Sequence, residues 1–133
     1  MTDDKIKCLL VEPNKLPEEI EIKKELEEYQ RLVGGWIEEV YLPFDDDIVI
    51  ICNEEGKING MELNRDIGHD IIAGPFLIVG DDYDNADFKS LTQEQVEKYK
   101  LIFNENSIRR TNARVNAILM SNVNRKFMKE CER

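Results

Sequence analysis

The stretch SLTQEQVEKYKLIF, Ser90–Phe103, is where the pattern of the chain changes. Thr92 and Gln95 stand in capping-box spacing, and Val96, Tyr99, Ile102 and Phe103 recur at the 3.6-residue period of a single helix face. Before it, apolar residues alternate or form short unbroken runs, the pattern of strands. After it, NEN interrupts the period, and a second helix is expected from about Ser107 to about Lys129.

Upstream, KIKCLLVEP reads as a buried strand ending at Pro13, and EEIEI as its partner beyond the NKLP turn. KKELEEYQRLVGG carries Leu26, Tyr29, Leu32 and Val33 at helical spacing, with Gly34 and Gly35 where a C-cap belongs. WIEEVYL resumes a strand, with Trp36 as a core residue at its start, broken by Pro43 and an acidic turn at 45–47. IVIICN reads as a buried strand, NEEGK as a hairpin-type turn with Gly56 left-handed, and Phe76–Val79 as the last strong strand. The expected fold is α+β: a mostly antiparallel β-sheet body followed by two C-terminal helices. The 133 residues are expected to form a single domain, with a β-rich body and one helix over 5–90 and the C-terminal helices over 91–130.

With 41% apolar and 35% charged residues the composition is that of a globular protein. No run approaches a membrane span, and MTDDKIKCLL lacks the order of a signal peptide, so a cytoplasmic location is expected, with no membrane partner. Cys8, Cys52 and Cys131 form no CxxC pair and read as reduced thiols. The net charge of −10 argues against direct nucleic-acid binding.

That charge is unevenly spread. Residues 1–105 hold 11 Lys or Arg against 26 Asp or Glu, whereas residues 106–133 hold 7 against 2. On a helix, Arg110, Arg114, Ala117 and Ser121 share one stripe, with Ile108, Val115 and Leu119 on the far side. Arginines four residues apart can converge on one phosphate or carboxylate through their forked donors. Asn112, Asn116 and Asn122 add amide groups suited to base or ribose edges. The bland alternative is a solvated basic face against an acidic body. Trp36, Tyr83 and Phe88 are the aromatics outside the core periodicity that could stack on a base; Trp36 starts a strand and reads as core, and the other two lie in the loop before Ser90.

Other chemistry finds little support. His69 is the single histidine and has no evident nucleophile, so no catalytic residue is assigned and no enzyme activity is expected. One histidine and dispersed cysteines make no zinc site. DDYDNADF fails the calcium-loop template, with Ala86, Asp87 and Gln93 at positions that need other residues. Gly34-Gly35 follows a helix and so is no phosphate loop. No metal and no cofactor are expected.

The stretches KCLLVEPNKLPEEIEI, LVGGWIEEVYLPFDDDIVIICNEEGKINGMELNR, DIIAGPFLIVG and SLTQEQVEKY together resemble a domain family of unknown function carried by phages and mobile elements of Firmicutes. The loop from Asn64-Arg65 to Asp70 is shorter than is usual there. The β-rich body with C-terminal helices bearing SIRRTNARVN also resembles phage anti-defence "sponge" proteins. Those that counter Thoeris immunity sequester cyclic ADP-ribose signals with helix arginines and a stacking aromatic. This resemblance implies a non-catalytic nucleotide-binding protein in which Arg109, Arg110 and Arg114 hold phosphate and Tyr83 or Phe88 stacks, with Asn112 and Ser121 beside them. The alternative is an acidic inhibitor that imitates a phosphate array and docks on a CRISPR, restriction or other nucleic-acid enzyme. The apolar residues of the last helix predict a homo-oligomer, at least a dimer, packed through it; the opposing expectation is a monomer whose helix folds back over its own sheet.

Overall fold

A computed structural model describes residues 4–131, with side chains to residue 125. Its centre is an antiparallel sheet ordered β2-β1-β7-β4-β3, formed by β1 (Lys5–Val11), β2 (Glu18–Lys23), β3 (Ile37–Leu42), β4 (Asp45–Asn53) and β7 (Phe76–Asp82). A short β8 (Asp87–Lys89) pairs with the end of β7, and β5 (Leu63–Asp66) with β6 (Ile71–Ala73) forms a separate two-stranded sheet. Three α-helices complete the described residues: α1 (Leu26–Val33), α2 (Gln93–Ile102) and α3 (Glu105–Cys131). The fold class is α+β, as expected.

The unbroken apolar runs are explained by helices on both faces of the sheet. Along β4, Ile48, Ile50 and Cys52 face α2 with Leu9, Val11, Phe76 and Ile78, where Val96, Tyr99 and Phe103 meet them. The alternate residues Val49 and Ile51 face α1 with Cys8, Leu77 and Val79, where Tyr29 and Val33 meet them. A strand buried on both sides loses its polar alternation.

Local chemistry sets the boundaries. Gly34 ends α1 at φ 82°, and its N–H bonds the Gln30 carbonyl at 2.8 Å. The capping box forms: the Gln95 N–H donates to Thr92 Oγ1 at 3.1 Å, and the Thr92 N–H donates to Gln95 Oε1 at 2.8 Å. Asn104 Oδ1 accepts from the N–H groups of Asn106 and Ser107, which starts α3 two residues before the expected Ser107.

Several expectations are corrected. The aspartates at 45–47 lie inside β4, not in a turn, because the reversal after β3 is completed by Pro43 and Phe44. Gly56 is not left-handed; a Cβ there would lie 2.7 Å from the Ala73 carbonyl oxygen, so close approach to β6 demands the glycine. Trp36 is 70% exposed, since it precedes the residues that β3 turns inward. The short strands β5, β6 and β8 were not anticipated.

Candidate functional site

The arginine-bearing helix docks on β5 through its first turns only. The Thr111 hydroxyl, 1% exposed, donates to the Ser107 carbonyl at 2.9 Å and accepts the Asp66 N–H at 3.0 Å. Arg114 Nη1 donates to Asp66 Oδ2 at 2.6 Å. Burial raises the Asp66 carboxyl. The Arg114 bond, the Gly68 N–H and the charges of Arg114 and Arg110 more than offset that and leave it below the usual carboxylate range. Asn112 Nδ2 donates to Asn14 Oδ1 at 3.2 Å, fastening α3 to the β1–β2 turn.

Beyond residue 115 every described side chain of α3 is exposed. With 27 residues the helix is about 40 Å long, and its distal half projects past the body. It does not fold back over its own sheet. Of the expected stripe, Arg114, Ala117 and Ser121 line one open hollow of about 270 Å³, together with Ile118, Asn122 and Arg125. Arg110 lines a separate hollow of about 260 Å³ with Asp66, Gly68, Phe103 and Ser107. Arg109 reaches Glu105 at 3.5 Å, one turn back, and belongs to neither of these hollows.

The aromatics lie elsewhere. Phe88 packs edge-on to Tyr29 at 5.5 Å on the α1 face, where it is half-buried. Tyr83 is exposed in a one-turn 3-10 segment (Tyr83–Asn85), close enough to Asp46, Asp47, Asp81 and Tyr41 for their charges to raise its hydroxyl after desolvation, the larger cause. A single chain therefore does not bring Tyr83 or Phe88 to the arginine stripe. Such proximity depends on the path between strands and could not be read from separation in sequence.

Asn64 and Arg65 form a second polar cluster, one that no sequence motif marks. Arg65 is fully buried and, among the described residues, has no carboxylate partner. Its guanidinium donates to Asn64 Oδ1 at 2.8 Å, to the Lys15 carbonyl at 2.6 Å and to the Phe103 carbonyl at 3.2 Å. Burial pulls its pKa down to about 10. Asn64 Nδ2 donates to the carbonyls of Val11 and Gly74. Together they bind β5 to β1, the β1–β2 turn and the end of α2, and so hold the platform that receives α3. A charged residue inside LNRD carries no apolar signal by which to find it.

The remaining candidates are structural. Cys8 and Cys52 are buried, and burial pushes their thiols up to about 12 and 11, as suits inert core residues. The side chain of Cys131 lies outside the described residues. His69 is exposed beside Asp70, which is taken by Lys57. Asp45, Asp46 and Asp47 can present oxygens within 4.8 Å of one another, but Asp45 already accepts from the Tyr99 hydroxyl and from Lys98. Among the described residues no helix is long and apolar enough to cross a membrane.

The chain belongs to the family described as a domain of unknown function, DUF3846, whose model matches residues 6–104. No curated protein and no solved structure matches it. The family match ends one residue before α3 begins, so the arginine helix lies outside the shared domain.

Proposed function

From membership of the DUF3846 family as the premise, we propose that this chain is a non-catalytic accessory protein that binds and sequesters a small anionic nucleotide signal. The observation that carries the reading is the exposed face of α3, where Arg114, Ser121, Asn122 and Arg125 border one hollow with small Ala117 at its floor. Forked guanidinium donors and amide groups on one face suit phosphate and ribose. The hollow is open, so a bound nucleotide needs a second wall. A second copy is the natural source, and its Tyr83 supplies a stacking surface that the first chain's own loop does not bring to α3. Asp66 competes with ligand for Arg114, so a bound phosphate must draw that guanidinium from the carboxylate, with Arg125 bordering the far end of the same hollow. The setting in which such a protein acts is anti-defence, where removing a signal needs affinity and no turnover.

Calorimetry with cyclic nucleotides and cyclic ADP-ribose isomers tests this. Binding in the micromolar range or tighter, lost in Arg114→Ala and Arg125→Ala, is the expected result. Affinity no better than millimolar for every member would sink it.

A second reading, the acidic inhibitor, draws on one specific arrangement: β4 and β7 gather Asp46, Asp47 and Asp81 around exposed Tyr41 and Tyr83. An inhibitor acting through that array would lose activity on neutralising those aspartates and be indifferent to the arginine substitutions.

A further inference from the structure

The sheet has two outer strands, and they differ. On β2, Glu19 is tied to Lys100 of α2 at 2.7 Å and Lys23 closes the strand. The other outer strand, β3, pairs with β4 alone and carries Glu38 and Glu39 with no lysine or arginine. Its ladder is regular from Ile37 to Val40 and shifts register before Leu42, which leaves a short free edge ending at a bulge.

Exposed apolar side chains gather along that edge. Trp36 and Phe44 flank β3, Tyr41 lies within it, Tyr83 stands beside Tyr41, and Ile58, 84% exposed, projects from the loop after β4. Scattered singly they would call for no explanation; grouped along the free edge of one strand they mark an interaction surface.

On the α2 side of this edge lies a groove of about 260 Å³ between β3–β4 and the two-stranded sheet. Val40, Cys52 and Ile72 form its apolar floor, and Glu38, Glu54 and Glu55 rim it. Lys57, also at the rim, is bound to Asp70. Among the described residues no lysine or arginine pairs with any of the three glutamates. An apolar floor under uncompensated carboxylates fits a long aliphatic stem with a cationic end. The volume is that of one or two side chains.

We propose that the β3 edge binds an extended basic segment of a partner protein by strand addition, with a lysine or arginine side chain seated in this groove. A strand laid along Ile37–Val40 sends alternate side chains to the side of Glu38 and Val40, where the groove opens. A second copy's β3 is disfavoured as occupant, because it would set Glu38 and Glu39 against their own kind. The inference is independent of the nucleotide reading and uses none of its residues except Tyr83, at the margin.

The test uses the intact chain and a capped synthetic peptide of roughly eight residues alternating lysine and valine. Two controls accompany it: the same peptide with glutamate for lysine, and one N-methylated on alternate amides. Two-dimensional amide NMR should place the largest shifts at Ile37–Val40 and around Glu54–Lys57. The glutamate and N-methylated peptides should not bind. Glu38→Lys, at an exposed position that the fold does not need, should weaken binding at least about tenfold, and Glu39→Lys, on the opposite face, by less. The proposal is overturned by equal binding of either control, by shifts spread over the whole acidic surface, by Glu38→Lys without effect, or by self-association through β3 in the absence of peptide.

Discussion

The body and the helix that leaves it follow opposite rules. Residues 6–104, the family domain, are acidic and bury two apolar layers against one sheet. From residue 116 onward α3 is basic, rich in asparagine, and exposed at every described position. The body's order comes from its own packing, whereas the distal helix has nothing of its own to pack against. Isolated helices of this length are marginal in water, and the second copy proposed above would supply the cover that the body does not give the described residues. The family domain thus supplies a platform, and the added helix presents different chemistry at a distance from it.

The contrast breaks most readily at the core. Phe76→Ala empties a fully buried site on the α2 face, where the ring meets Phe103 edge-on at 5.5 Å. It should cost about 3–5 kcal/mol in urea unfolding. A cost near zero would mean that the α2 layer does not hold the sheet.

At the junction the effect should be smaller. Thr111→Val keeps the volume but removes the acceptor for the Asp66 N–H and the donor to the Ser107 carbonyl. A loss of about 1–2 kcal/mol is expected, with faster amide exchange confined to β5 and the start of α3. Exchange rising across the whole sheet instead would make α3 part of the core and erase the division between the regions.

The two regions were also unequally legible in sequence. The central strands announced themselves because IVIICN, FLIVG and KCLLV are too apolar for any but a doubly covered sheet. Thr92, Gln95 and Gly34 marked helix ends through chemistry local to a few residues. Arg65 escaped because a buried guanidinium is recognisable only by the carbonyls around it, which come from residues 15, 64 and 103. For the same reason the periodicity of α3 revealed its stripe but not that Asp66 occupies Arg114, nor that Tyr83 and Phe88 lie away from it.

The Arg114–Asp66 pair sharpens the comparison through pH. Asp66 has its pKa lowered in the fold, so the pair contributes stability above the unfolded carboxyl's value of about 3.9 and loses it as pH falls through the lower folded value. Arg114 is nearly half exposed, so solvent screening limits the contribution to about 0.5–1 kcal/mol. Arg114→Ala should show that loss at neutral pH and converge with the parent chain near the acid limit. A difference that persists unchanged in acid would assign the effect to packing of the arginine stem.

The smallest effect on unfolding should come from the distal helix, and there the readout changes from stability to mass. Leu119 is 56% exposed, and Val123, one turn on, is equally open. At about 100° per residue both lie roughly 80–160° around α3 from Ser107 and Thr111, which dock on β5, and within about 20° of Asn112, which reaches the β1–β2 turn. The body covers neither of them. If a second copy covers them, Leu119→Asp should leave unfolding of the separated chain unchanged within about 0.5 kcal/mol and halve the mass seen by light scattering. Nucleotide binding should fall with it, since the hollow at Arg114–Arg125 loses its second wall. A parent chain that scatters at 15.5 kDa at every concentration would remove the shared-wall arrangement. Loss of oligomer with nucleotide affinity intact would instead place the ligand on one chain's arginines alone.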